Sequence, residues 1–151
     1  MLIFKRFEPQ YSDLIKNWLK LDVDGMKFLD TYVEPKDYIN LIDFKKRYLW
    51  IVEKSNVEIG FFDFEIESEE IGYFAMYVAP EFRGKNLGTN MLEDALTLSE
   101  VKTVKNLEGG VEKDNEASKK TLERMGFKYS YMDEDGMLMY QLKLNTSNES
   151  M

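Results

Sequence analysis

The sequence predicts an α/β fold of the α+β kind, a mixed sheet with helices on its faces. Strand and helix patterns alternate along the chain in the order β α α α β β β α β α β β. One stretch, residues 71–78, is apolar at nearly every position, as is typical of a central strand with both faces covered. The 151 residues, 44% hydrophobic and 14% aromatic, suffice for one packed core. We therefore expect a single domain over residues 1–144 and a polar, disordered tail over 145–151.

Composition and charge narrow the possible functions. A net charge of −8 argues against nucleic-acid binding, which needs clustered Lys and Arg. No apolar run approaches the roughly 18 to 20 residues that cross a membrane, and no signal-peptide pattern is present, so we expect a cytoplasmic protein without membrane contact. The absence of His and Cys excludes disulfides, Cys or His zinc sites and Ser-His-Asp triads. We expect no metal, and acid–base chemistry falls to Asp, Glu, Tyr, Lys, a terminus or water.

Helical periodicity dominates the first 45 residues after an opening strand at residues 2–7. Ser12 or Asp13 is placed to cap a helix whose apolar residues recur on one face: Leu14, Ile15, Trp18 and Leu19. Two more helices are predicted, one over about 24–32 and one from Pro35 onward, because proline suits a first helical turn.

Between residues 48 and 144 the patterns predict strands and helices in alternation. In chain order they are strands at 48–53, 57–67 and 71–78, a helix at 87–101, a strand at 103–111, a helix at 115–125, and a hairpin of 127–132 with 137–144. The polar stretches 54–56 and 133–136 supply hairpin turns. Gly126 suits a left-handed C-terminal cap of the second helix.

The segment after the central strand is suited to bind an anion. Pro80 ends the strand because it lacks an N–H, and a basic loop then leads into a helix, whose N-terminus offers unpaired N–H groups and partial positive charge. Gly84 and Gly88 leave the backbone accessible to a diphosphate. Arg83 and Lys85 add full charges. On this segment alone an ordinary solvated loop is an equal alternative, because neither the P-loop nor the dinucleotide-binding glycine pattern is present.

A second motif lies downstream, at the start of the helix that follows the next strand. Asn115, Ser118, Gly126 and Phe127 fit the pattern Asn-x-x-Ser/Ala-x-x-x-Tyr-x-x-x-Gly-Phe. The loop 83–88 fits the pattern Arg/Gln-x-x-Gly-x-Gly/Ala at two of its three defined positions, Arg83 and Gly88. Together these motifs resemble the GNAT superfamily of N-acetyltransferases, closely over residues 48–131 and in element order throughout.

The resemblance implies a GNAT-type mixed, mostly antiparallel sheet of about seven strands, splayed beside the central strand and carrying helices on both faces. It also implies that acetyl-CoA is bound as the acetyl-donor co-substrate, with pantetheine along the edge of the central strand and the diphosphate over the loop. The residues implied to bind it are Met76, Val78, Arg83, Gly84, Lys85, Asn86, Leu87, Gly88, Thr89, Asn115 and Ser118. For Asn115 a helix N-cap is an equally good interpretation, and the two roles are compatible.

Three positions depart from the family pattern. Asn86 replaces the first motif glycine, which we expect to be tolerated because Asn adopts left-handed backbone. Leu122 stands where many members place the tyrosine that protonates the leaving thiolate, and leucine cannot donate a proton. Gly110 stands where some members place a carboxylate; Glu108 and Glu112 share its strand parity, so each is a candidate base as well as an ordinary solvated carboxylate. The candidate replacement acids are sheet tyrosines, Tyr140 with Tyr73, Tyr77 and Tyr131, each also explained as a half-buried aromatic.

The predicted function is transfer of an acetyl group from acetyl-CoA to a primary amine of a small molecule or protein N-terminus by direct attack, with a strand N–H near Met76 or Tyr77 stabilising the oxyanion. A group of acidic and aromatic residues would suit a cationic acceptor, although an acidic solvated surface is the preferred explanation of them: Trp18, Asp22, Asp24, Asp30, Tyr32, Glu34, Asp37, Asp133, Glu134 and Asp135.

Two other classes of function stay open. One is a degenerate acyl-CoA-binding sensor or interaction module without turnover, which the departures at 110 and 122 favour. The other is a phosphate- or nucleotide-binding protein of another fold, against which the downstream motif counts. Monomer and homodimer are equally compatible with the sequence.

Overall fold

A computed structural model describes residues 2–22 and 46–144. Its elements are β1 (Leu2–Arg6), α1 (Ser12–Leu21), β2 (Arg47–Lys54), β3 (Val57–Ile66), β4 (Ile71–Val78), α2 (Leu87–Ala95), β5 (Asn106–Val111), α3 (Glu116–Arg124), β6 (Lys128–Met132) and β7 (Leu138–Lys143). The helices predicted over 24–32 and from Pro35, and the tail after residue 144, lie outside the described residues.

The strands join in one seven-stranded sheet with the order β1-β2-β3-β4-β5-β7-β6. The apolar strand β4 is fourth in this order, which confirms its predicted central place. β4 and β5 run parallel, with pairs from Ile71↔Asn106 to Phe74↔Gly109, whereas β1 with β2, β5 with β7 and β6 with β7 are antiparallel. A mixed, mostly antiparallel sheet was the predicted fold class, and it is confirmed.

The chain divides into two compact units. The first unit comprises Met1–Asp63 and Met76–Leu87, and the second comprises Phe64–Ala75 and Gly88–Met151. The first is built around fully buried side chains of α1, β2 and β3: Ile15, Leu19, Ile51, Val52, Phe61 and Phe62. The second buries its own set from β3, α2, β5 and the intervening turn: Phe64, Met91, Leu92, Ala95, Val104 and Leu107.

Local structure follows the sequence signals closely at turns and less closely at helix ends. Ser55 and Asn56 have φ of 51° and 68°, as a two-residue hairpin turn requires. The helix predicted to reach residue 101 stops at Ala95, where the Thr97 hydroxyl donates to the Asp94 carbonyl at 2.6 Å and competes with continuation of the helix. Ser12 does not cap α1: it is the first helical residue, because a 3₁₀ turn over Pro9–Tyr11 leads into the helix.

A strand glycine sets how closely β3 approaches β4 in the first unit. A Cβ built on Gly60 would lie 1.9 Å from the carbonyl oxygen of Tyr77 and 2.9 Å from its carbonyl carbon. Both atoms belong to the backbone of a central strand, so neither can move aside as a side chain would.

Gly60→Ala is therefore expected to lower the free energy of unfolding by about 3 kcal/mol, the upper range for overpacking. Gly110→Ala is the matched control, since its Cβ would meet the flexible Met139 side chain at 3.1 Å and should cost less than about 1 kcal/mol. Urea unfolding of both variants measures the difference. Equal destabilisation would show that the close approach at Gly60 is not the controlling contact.

Candidate active site

The loop between β4 and α2, residues 83–86, has a backbone shaped by two left-handed residues. A 3₁₀ turn over Pro80–Phe82 follows β4, and α2 begins at Leu87. Between them Gly84 has φ +79° and Asn86 has φ +61°. The expectation that Asn86 takes the place of a glycine by adopting left-handed backbone is confirmed.

The loop is open on the outside and anchored at its end. A Cβ built on Gly84 meets no atom within 4 Å, so its backbone conformation and not space calls for glycine there. Lys85 and Asn86 are exposed, whereas Leu87 is buried and fixes the start of α2. The first turn of α2 contains no acidic residue, and its N–H groups have a favourable field for an anion.

The Arg83 side chain lies against the end of β4. Its Nε donates to the Val78 carbonyl at 2.8 Å, and its terminal nitrogen donates to Asp22 Oδ2 at 2.6 Å. The guanidinium carbon lies 5.3 Å from the centre of the Tyr77 ring, within cation–π range. Asp22 is the residue that ends α1.

Asp22 is a buried carboxylate that accepts hydrogen bonds from Tyr77 and Arg83. Its side chain is 8% exposed, and the same Oδ2 accepts the Tyr77 hydroxyl at 2.8 Å and the Arg83 guanidinium. Burial, and then the hydrogen bond to Asp22, raise the pKa of Tyr77 well above its ordinary value. Tyr77 therefore stays protonated and acts as a hydrogen-bond donor at neutral pH.

Glu108 is the most deeply placed carboxylate of the second unit. It is 2% exposed and lies in β5, where its Oε1 accepts from Gln141 Nε2 at 2.7 Å and its Oε2 accepts from the Tyr131 hydroxyl at 3.0 Å. The hydrogen bond to Glu108 is the first cause that raises the pKa of Tyr131. Glu108 therefore forms a hydrogen bond with Tyr131, one of the candidate acids.

A β-bulge brings Tyr131 to this face of the sheet. β6 pairs Tyr129 with Tyr140 and then Tyr131 with Met139, so Ser130 is the extra residue. Without it, Tyr129 and Tyr131 would point to the same face because side chains alternate along a strand. The bulge shifts Tyr131 to the opposite face, where Glu108 lies.

Tyr140 lies on the other face. It pairs with Gly109, one residue from the Glu108↔Gln141 pair, so Tyr140 and Glu108 point in opposite directions. Tyr140 is 6% exposed, and its ring meets that of Tyr129 edge to face at 5.9 Å. The structure therefore does not bring together Glu108 and Tyr140, two of the three residues favoured for catalysis.

The third candidate, Glu112, is exposed and follows the end of β5.

Tyr73 of β4 pairs directly with Glu108 and so shares its face, where its hydroxyl donates to Glu67 Oε2 at 2.8 Å. That hydrogen bond, then burial and the charges of Glu67 and Glu108, raise the pKa of Tyr73 to about 12.

The downstream motif forms a regular capped helix. Asn115 is the N-cap of α3, and its side-chain oxygen accepts from the Ser118 N–H at 3.1 Å. Leu122 is 5% exposed and packs in the core of the second unit. Gly126 follows the helix with φ +94°, the left-handed conformation predicted for it.

Met76 and Val78 are half-buried residues of the last part of β4, beyond the last β4–β5 pair at Phe74.

Sequence reasoning missed two parts of these clusters. The Asp22–Arg83 ion pair joins residues 61 positions apart, and in the sequence Asp22 stands out only as one of the acidic residues that suit a cationic acceptor. Gln141 is the other missing partner, and the signal for it is a polar residue among the apolar residues of β7, which indicates a buried polar contact.

Two further searches of the described residues gave no site. Within residues 2–22 and 46–144, acidic, His and Cys side chains form no group of three that could hold a metal ion. Over the same ranges no helix has the length and apolar character needed to traverse a bilayer.

The mixed, mostly antiparallel sheet, with a basic loop that leads from its central strand into a helix, is the arrangement that the resemblance to N-acetyltransferases predicted. The sequence model described as the acetyltransferase (GNAT) family matches residues 14–127, and the chain belongs to that family. A search of curated protein sequences gave no match.

Solved structures show the same fold at low sequence identity. The N-acetyltransferase PseH of Campylobacter jejuni, determined in complex with acetyl coenzyme A, is 20% identical, with a TM-score of 0.72 over 96% of this chain and 100% of that chain. The putative acetyltransferase yncA of Salmonella typhimurium, determined with acetyl-CoA, is 18% identical, with a TM-score of 0.76 over 95% and 94%. The aminoglycoside acetyltransferase AAC(6')-Ib, determined with coenzyme A, is 13% identical, with a TM-score of 0.78 over 95% of each chain.

The buried Glu108 cluster predicts unequal effects of removing two neighbouring carboxylates. Glu108→Ala deletes a buried side chain and leaves Gln141 and Tyr131 without their acceptor, so we expect a loss of about 2 kcal/mol in the free energy of unfolding. Glu112→Ala, at an exposed position of the same strand parity, should change it by less than about 0.5 kcal/mol. Urea denaturation compares them, and indistinguishable midpoints would contradict the buried role of Glu108.

The pKa of Tyr73 predicts a defect at alkaline pH. Because its folded-state value of about 12 lies above the ordinary value of 10.0, its neutral form stabilises the fold below pH 10, and this contribution is lost as the pH rises toward 12. Glu67→Gln should lower the pKa of Tyr73 toward its ordinary value. An absorbance titration of tyrosinate would detect this as one tyrosine that ionises at a lower pH. Glu69→Gln is the control, and an unchanged Glu67→Gln titration would rule out the hydrogen bond as the cause.

Proposed function

We propose that this protein is a cytoplasmic N-acetyltransferase that moves an acetyl group from acetyl-CoA to a primary amine of a small molecule or protein N-terminus. The observation that carries the proposal is the loop from Arg83 to Leu87. Its two left-handed residues, Gly84 and Asn86, lead into α2 in a chain that the acetyltransferase family model matches over residues 14–127.

The residues present fit a coenzyme A diphosphate. Gly84 has open space beside it, Lys85 is an exposed cation, and the first turn of α2, which includes Gly88 and Thr89, has no acidic residue to repel an anion. Acetyl-CoA would supply the activated thioester. Within the first unit, the N–H and C=O groups of Met76 and Val78 would pair with the amides of pantetheine.

Acid–base roles are assigned by the face on which each group lies. Glu108 would receive the proton of the acceptor ammonium, directly or through water, while Tyr131 and Gln141 hold its carboxylate in place. Glu112, exposed beyond β5, would relay that proton to solvent. Tyr140 remains a candidate for protonating the thiolate, but its opposite orientation separates it from Glu108.

A cationic acceptor is supported by the charge of the second unit's polar face. Tyr73, Glu67, Glu108 and Tyr131 lie there together, and the donors that meet Glu108 are a phenol and an amide and carry no positive charge. An ammonium group is therefore the natural partner for this face. Asp133 and Glu134, at the β6–β7 turn, extend the acidic character.

A second candidate, an acyl-CoA-binding sensor without turnover, is favoured by one observation. Leu122, at the position of the family tyrosine, is buried in the core of the second unit and offers no proton donor. In this case coenzyme binding would be retained and transfer lost.

Ligand-induced stabilisation tests the coenzyme site. Acetyl-CoA at about 100 times its dissociation constant should raise the free energy of unfolding by roughly 2.7 kcal/mol, while ATP at equal concentration should have little effect. Gly88→Val, which puts a branched side chain at the first turn of α2, should abolish the acetyl-CoA shift. Met132→Val, at an exposed position in β6, is the control. No shift with wild-type protein would reject both candidate functions.

Turnover separates the two candidates. Release of free thiol from acetyl-CoA would be followed against a panel of amines that includes polyamines, aminoglycosides and a basic peptide with a free N-terminus. We expect release with at least one cationic amine and a loss of at least tenfold in Glu108→Gln. Tight binding without thiol release from any member of the panel would favour the sensor.

A further inference from the structure

One guanidinium in the first unit is engaged on three sides. Arg83 Nε donates to the Val78 carbonyl at 2.8 Å, one terminal nitrogen donates to Asp22 at 2.6 Å, and the guanidinium carbon lies 5.3 Å from the Tyr77 ring centre. A guanidinium presents its donors in a rigid fork, so a side chain held in this way is fixed in direction. Two of its three nitrogens are thereby directed to the end of β4 and to the C-terminal end of α1.

The Asp22 carboxylate needs the positive charge of Arg83 for two physical reasons. Asp22 lies at the C-terminal end of α1, where the helix dipole places partial negative charge that disfavours an anion. Its side chain is only 8% exposed, and an uncompensated buried charge is costly. Withdrawing Arg83 would take away a positively charged partner of this buried group.

The geometry points to Asp22 as a positioning residue of the coenzyme loop. It holds the charge of Arg83 at the end of β4, and the coenzyme diphosphate is bound by loop N–H groups and Lys85 without the Arg83 side chain. This inference rests on the proposed function, and it revises the sequence-based expectation that Arg83 contacts the diphosphate. Tyr77 completes the assembly, because its hydroxyl donates to the same oxygen of Asp22 at 2.8 Å.

The position of the loop explains why such an anchor is useful. Gly84 and Asn86 both occupy left-handed backbone, and among the described residues no atom lies within 4 Å of a Cβ built on Gly84. The Arg83 contacts fix the first residue of the loop, and buried Leu87 fixes the start of α2 directly after it. Held at both ends, the loop keeps its N–H groups oriented before the coenzyme binds.

The two roles for Arg83 predict opposite effects of Asp22→Asn on coenzyme A affinity. If Asp22 positions the loop, the variant loosens Arg83 and raises the dissociation constant, about tenfold for the loss of one charged hydrogen bond. If Arg83 is a phosphate ligand that Asp22 holds back, the variant releases it and lowers the dissociation constant. Calorimetric titration of coenzyme A into the full chain measures the direction.

Substitutions of Arg83 and Lys85 complete the test. Arg83→Lys should weaken coenzyme A binding as much as Arg83→Gln, because a single lysine ammonium cannot reach both Val78 and Asp22. The double variant Asp22→Asn/Arg83→Gln should bind coenzyme A no more weakly than either single variant. Lys85→Gln should weaken binding independently and reduce its dependence on salt. Tighter binding by Asp22→Asn, or near-wild-type binding by Arg83→Lys when Arg83→Gln is impaired, would overturn the inference. If Asp22→Asn does not fold, the two Arg83 variants decide.

A measurement without ligand keeps this inference separate from the proposed function. In urea unfolding of the free protein, the effects of Asp22→Asn and Arg83→Gln should be strongly non-additive, as expected for groups in direct contact. Additive effects would overturn the positioning role even in a protein that binds coenzyme A. A wild-type protein that does not bind coenzyme A but shows the coupling would reject the proposed function and leave the Asp22–Arg83 anchor established.

Discussion

Two buried carboxylates impose the same requirement on different units of this protein. A carboxylate removed from water must receive strong hydrogen bonds, and each of these receives one from a tyrosine hydroxyl and one from a nitrogen donor. Asp22 has Tyr77 and the charged Arg83, whereas Glu108 has Tyr131 and the neutral Gln141. The first arrangement balances its charge within the cluster and suits a structural anchor. The second leaves the carboxylate without a cation among those partners, which suits contact with a cationic substrate.

The parts of the fold that sequence predicted are those decided by neighbours along the chain. Asn56, Asn86 and Gly126 adopt left-handed backbone as their residue types favour, Ser55 joins Asn56 in the predicted hairpin turn, and the order of the described strands and helices follows their hydrophobic periods. The central place of β4 also follows from its own composition. The predicted helix end at residue 101 and the predicted cap at Ser12 were wrong, and the competing signals were local as well: the hydrogen bond of the Thr97 hydroxyl and the 3₁₀ turn before Ser12.

The candidate site was less predictable because its contacts cross the sheet. Strand parity correctly placed Glu108 and Gly110 on one face of β5, whereas Glu112 lies beyond the end of the strand. The parity of Tyr131 is reversed by a single bulged residue, Ser130, that no periodicity reveals. The pairing of Asp22 with Arg83 depends on where α1 ends relative to β4, which is a property of tertiary structure. Motif recognition located the loop, while the partners of each motif side chain needed coordinates.

The replacement of the family tyrosine by Leu122 bears unequally on the two proton transfers. A thiol with pKa near 8.5 is only about 1.5 units above neutral pH, so expelling its thiolate without an acid costs about 2 kcal/mol. A lysine-like amine with pKa near 10.4 must lose a proton across about 3.4 units, a penalty of about 4 to 5 kcal/mol. The base therefore matters more than the acid for attack by such an amine. The absence of a proton donor at Leu122, together with the buried Glu108 as a candidate base, is compatible with a transferase that is slower at thiolate release and still able to activate its acceptor.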